Sequence, residues 1–113
     1  MPATHLALFI KERKLPNDIL QDIEKIKSIL LNYGALKIIL YGSLARGNYR
    51  TDSDIDICVE GISDNNYFRA VAECLMKTER RVSILDFQNT RGYFRERILE
   101  EGKVIYERDR VKE

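Results

Sequence analysis

With 113 residues, 44% of them hydrophobic and 33% charged, the chain can build one core but no second lobe of useful size, so any ligand larger than a shallow cleft must borrow a wall from another molecule. A formal net charge of +1 argues against direct nucleic-acid binding, which leaves a strongly basic footprint. No apolar run approaches the ~20 residues of a membrane span, and the early Lys11, Glu12, Arg13 and Lys14 leave no signal-peptide core, so a cytoplasmic protein with no membrane partner is expected.

Residues Thr4 to Lys14 carry Leu6, Leu8, Phe9 and Ile10 and read as either a short helix or an arm, until Pro16 breaks the pattern. From Asp18, the residues Ile19, Leu20, Ile23, Ile26, Leu30 and Tyr33 recur at helical spacing. Asp18 with Gln21 predicts a capping pair and Gly34 predicts the stop. Lys37 to Tyr41 is a short, nearly all-apolar run, the mark of a strand covered on at least one face. Asp54 to Val59 then alternates acid and isoleucine in period two, so Ile55 and Ile57 point to the core while Asp54 and Asp56 point together to the other side.

After a turn-rich stretch from Gly61 to Asn66, the residues Tyr67, Phe68, Val71, Ala72, Leu75 and Met76 form a stripe at helical spacing that is expected to face the core. Arg81 to Phe87 predicts a third strand. Thr90 is placed to cap a helix carrying Tyr93, Phe94, Ile98 and Leu99 that stops at Gly102, and Lys103 to Tyr106 predicts an edge strand before a charged, fraying tail from Glu107. Cys58 and Cys74 share no metal-type spacing and sit among apolar neighbours, as two reduced, buried thiols would. The order is helix, strand, strand, helix, strand, helix, strand. It predicts an α+β (two-layer α/β) fold: a small mixed sheet of about four strands with helices packed on one face, leaving the acidic pair on the other.

The chemistry concentrates between Tyr41 and Ile57. Two carboxylates at alternate strand positions repel unless a cation or a basic partner neutralises them, and Mg2+ prefers carboxylate oxygens while sharing its other positions between water and phosphate. Gly42 and Ser43, turning at the end of a buried strand, offer backbone N–H groups, a hydroxyl and room for close approach to a phosphate, with Arg46 nearby as counter-charge. Taken separately, the first feature is a common turn and the second a common solvated strand face. Together, with ten residues between Ser43 and Asp54, they suggest a phosphate and a metal held side by side.

Gly42-Ser43, the ten-residue spacing and Asp54-Ile55-Asp56 resemble the signature of the nucleotidyltransferase superfamily that includes DNA polymerase beta. The fuller run from Gly42 to Gly47 and from Ser53 to Asp56 is similar to its minimal nucleotidyltransferase (MNT) branch. The likeness extends through the strand at Arg81 to Phe87 and the segment from Ile98 to Tyr106, giving one domain over 1–113 with a core of about 18–107. The resemblance implies a palm-like sheet in which Asp54 and Asp56 hold two Mg2+ ions, Gly42 and Ser43 meet the triphosphate of ATP, and Arg46 and Ser53 assist in binding it.

It also implies a third carboxylate on a neighbouring strand, where this chain has Ser83; Asp86 is the nearest acid. Alternation places Asp86 on the face of Val82 and Ile84, so it reads either as a third metal ligand and catalytic acid or as a solvated strand end. MNT proteins are partners of HEPN proteins, helical toxins that some members silence by moving AMP from ATP to a tyrosine. The expectation is therefore an antitoxin enzyme whose partner completes the site, with a homodimer also allowed and with Tyr49 a loop residue that either packs or serves the substrate. Neutralisation by binding alone, and nucleotidyl transfer to a small-molecule hydroxyl, are the alternatives.

Overall fold

The computed structural model describes residues 15–108; the expected helix or arm over 4–14 and the tail over 109–113 lie outside them. The first helix, α1, spans Asn17–Asn32 and follows Pro16, whose φ of −57° is already that of a helix. The expected capping pair does not form, because the helix starts ahead of Asp18 and the Asp18 carboxylate turns away to Arg80. Gly34 is the stop. At φ +99° it lets the Ala35 N–H reach Leu30 O at 3.0 Å and its own N–H reach Leu31 O at 3.0 Å, the paired closure that a left-handed residue permits.

Strand β1 (Lys37–Tyr41) lies between β2 (Ile55–Glu60) and β4 (Lys103–Glu107) and is antiparallel to both, while β3 (Val82–Asp86) runs parallel to β2. The order is β3-β2-β1-β4, so the sheet is mixed and β4 is an edge, as expected. A parallel pair needs a long crossover, which α3 (Asp64–Lys77) supplies. The charged end does not fray at Glu107: β4 includes it, and the Arg108 N–H is held by Leu36 O at 2.8 Å.

Ile38, Leu40, Ile55, Ile57, Val59, Val82 and Ile84 join the buried faces of α1 and α3 in the main core. The opposite face is not left bare. Ile39 and Cys58 point there and are covered by Ile98 of α4 (Gly92–Glu101), with Leu85, Phe87 and Val104 around them. Helices therefore occupy both faces, because β1 has Ile38 and Leu40 to bury on one and Ile39 on the other.

Within α3 the buried line is Ala70 and Cys74, with Tyr67 and Val71 beside it, whereas Phe68, Leu75 and Met76 are 74%, 52% and 84% exposed. The expected core stripe is thus split, and its small-residue side is the one that approaches the sheet. Thr90 also departs from expectation. Its hydroxyl donates to Phe87 O at 2.7 Å and closes a 3-10 turn over Phe87–Asn89, and α4 begins beyond it.

Candidate active site

Strand register builds the site. Tyr41 pairs with Asp56 across β1 and β2, and Asp56 pairs with Ser83 across β2 and β3, so the three form one row on the face that carries α4. The row lies where β1 ends. There the chain does not make a simple turn: Gly42 opens a short helix, α2 (Gly42–Arg46), anchored by the fully buried Leu44 and Ala45 and closed by Gly47 at φ +89°, whose N–H reaches Ser43 O at 2.9 Å.

Gly42 has φ +75°, and a Cβ there would overlap the Asp56 carboxylate. Only glycine lets this backbone lie against that acid. Ser43 follows at the start of α2, where N–H groups have no acceptor within the helix.

The acidic pair is electrostatically uncomfortable. Burial first, then the neighbouring Asp54, push the Asp56 carboxyl above its ordinary value, with Arg46 pulling the other way. Tyr41 is pushed up to about 12, mainly by burial and then by the Asp56 charge, with the Ser83 hydroxyl pulling the other way. Arg46 itself is tied to Glu101 of α4 at 3.3 Å, so it joins α2 to the helix covering this face. Asp54 precedes β2 and faces Arg81, whose Nε lies 3.6 Å from its Oδ1 in an exposed pair. Arg81 escapes sequence reading because its place comes from the parallel register: its carbonyl accepts the Ile55 N–H at 2.9 Å.

Ser53 is engaged in shaping the loop. Its Oγ accepts the Arg50 N–H at 2.7 Å and its N–H donates to Arg50 O at 3.1 Å. Tyr49 packs against the main core, so of its two readings the structure shows packing. Asp86 does not join the acidic pair. It is the register partner of Val59, three residues along β3 from Ser83, and its buried carboxylate accepts the Gln88 N–H at 3.1 Å to start the 3-10 turn. The residue in the row beside Asp56 is Ser83, and among the described residues no three His, Cys, Asp or Glu side chains gather as a metal cluster. Asp54 and Asp56 repel each other and Asp56 lies against the Gly42 backbone, so the pair still suits one hard cation that takes its other oxygens from a phosphate or water.

The family described as "Polymerase beta, Nucleotidyltransferase" matches residues 24–111. Two proteins of Methanocaldococcus jannaschii are similar in sequence, both named "Putative protein adenylyltransferase". The first, MJ1547, is 38% identical over 61% of this chain and 53% of its own length. The second, MJ0604, is 33% identical over 62% of this chain and 77% of its own. The chain thus spans about half the length of the first relative. Among solved structures, one described as a "putative minimal nucleotidyltransferase" superposes with a TM-score of 0.62 at 26% identity, covering 74% of this chain and 89% of that one. A Shewanella oneidensis structure, described as a tri-AMPylated HEPN toxin in complex with MNT antitoxin, contains a chain of the same fold: TM-score 0.60, 18% identity, covering 80% of this chain and 72% of that one.

Proposed function

Because the chain belongs to the polymerase beta nucleotidyltransferase family, we propose that it moves AMP from ATP to a hydroxyl, most simply a tyrosine, of a HEPN-type helical partner and so acts as the antitoxin of a toxin-antitoxin pair. The observation that carries this reading is the contact of the Gly42 backbone with the Asp56 carboxylate, which sets the start of α2 directly against one acid of the pair. The names of the relatives and the AMPylated toxin in the Shewanella complex support the donor and the acceptor class. The size of the described domain supports a protein acceptor, since one small sheet with its helices supplies no second lobe to enclose a nucleotide and an acceptor together.

In this reading Asp54 and Asp56 hold Mg2+ together with the ATP phosphates. When bound, the metal supplies Lewis-acid stabilisation of charge developing on the transferred phosphoryl group. The chain's own groups do the rest. Ser43 and the α2 backbone orient the phosphates, and Arg46, fixed by Glu101, adds positive charge beside Asp56. Ser53 contributes through the shape of the loop ahead of Asp54.

A second reading, neutralisation by binding alone, is favoured by Ser83 in the row with Asp56, where the sequence resemblance leads one to expect an acid. One experiment separates the two. The protein is incubated with Mg2+, ATP labelled at the α-phosphate and a HEPN-type helical protein from the same genome. Label on the partner, absent with Asp54→Asn, is expected; no label above that control sinks the transferase. If Asp54→Asn and Asp56→Asn neutralise the toxin as well as wild type does, binding alone is the function.

A further inference from the structure

Asp54 stands one residue ahead of β2, outside the regular ladder, yet it must hold a fixed position beside Asp56. We propose that Arg80, in the turn between α3 and β3, is the positioning residue that sets it. The inference rests on the metal-and-nucleotide reading of the site given above. The Arg80 Nη1 donates to Ser53 O at 3.0 Å. That oxygen and the Asp54 N and Cα belong to one rigid peptide plane, so a bond to the first orients the second.

Arg80 is itself held from two directions. Its Nη2 donates to Asp18 Oδ2 at 3.2 Å, and its backbone N–H donates to the buried Asp22 carboxylate at 3.1 Å, which also takes the Glu79 N–H at 3.2 Å. The guanidinium thus braces the loop before Asp54 against α1. A planar fork can serve two acceptors in different directions at once, which an ammonium on a flexible stem does poorly. Among the described residues the buried Arg80 Nε finds no acceptor.

The test uses the full chain with Arg80→Met and, should that variant fold poorly, Arg80→Lys. Backbone amide spectra are recorded first, then ATP affinity by calorimetry with Mg2+ and with EDTA. The amides of residues 53–56 are expected to shift while those of β1 stay in place. The tightening of ATP binding by Mg2+ should fall about 10–100-fold in Arg80→Met, as when the support of a metal ligand is removed, with affinity in EDTA unchanged and Arg80→Lys intermediate. Unmoved amides at 53–56, or equal losses with and without Mg2+, overturn the proposal. A wild type whose ATP affinity ignores Mg2+ overturns the transferase reading instead, and the amide shifts then decide the brace on their own.

Discussion

Gly42 and Asp56 constrain each other. Adding a methyl group at Gly42 forces a left-handed φ of +75° on alanine and drives its Cβ into the Asp56 carboxylate, so Gly42→Ala should cost about 1–3 kcal/mol and weaken ATP binding together. Thermal melting and calorimetry check this, and a variant that keeps both at wild-type values would refute the packing. Asp56 carries a cost of its own. Its folded pKa is raised, so the folded state holds that proton more tightly than the unfolded chain does. The ionised group therefore lowers stability above its raised pKa, and the penalty disappears below the ordinary value of 3.8. Without metal, Asp56→Asn should melt higher than wild type at neutral pH, with the gap closing as pH falls towards 3.8; a gap that widens on acidification contradicts the sign. These two residues were readable because period-two isoleucines fix the direction of Asp56 and the spacing brings Gly42 to it. Arg80 and Arg81 were not, since an arginine pair at a strand start looks solvated until the parallel register sets it beside Ser53 and Asp54.

At the scale of elements, helical periodicity shows that a face exists but not which of two overlapping apolar lines is buried. In α3 the line of Ala70 and Cys74 wins over that of Phe68, Leu75 and Met76 because small side chains let the helix approach the sheet closely. Ala70→Leu should then cost about 1–3 kcal/mol by overpacking, while Met76→Lys should change stability by less than about 0.5 kcal/mol. Urea unfolding that ranks the two the other way would return the helix to the phase read from sequence. The end of β3 is a similar case. Asp86 starts a 3-10 turn through Gln88, a short local structure that competes with a ligand role and leaves little mark in composition. Asp86→Ala should lose about 0.5–2 kcal/mol, as for a lost cap, and leave the Mg2+ dependence of ATP binding intact; loss of that dependence would restore Asp86 to the metal site.

At the scale of the molecule, four strands and their flanking helices follow from apolar runs and glycine stops, but strand order does not. Nothing local tells β3 to lie parallel beside β2 rather than antiparallel to it, and the second helical layer was hidden because Ile39 in β1 and Cys58 in β2 each sit inside an apolar run that does not show which face needs a cover. That two-sided burial gives each face its own reporter thiol. Cys58 lies in the smaller cluster, beneath the one buried residue of α4, Ile98; Cys74 lies in the main core with α1. Both thiols are free, and burial pushes each up from 9.0 to about 12, so at pH 8 almost no thiolate exists in the folded state and alkylation must wait for opening. A cover held by fewer buried contacts opens at lower free energy. In native protein treated with iodoacetamide at pH 8, peptide mass analysis should therefore find Cys58 labelled faster than Cys74, with both rates rising in low urea. Equal rates would mean that the two layers open as one unit, and a faster Cys74 would place the weak layer on the α1 and α3 side. Because α4 also carries Glu101, the partner of Arg46, a substitution that frees this helix, such as Ile98→Ala, should speed labelling of Cys58 and weaken ATP binding in the same variant.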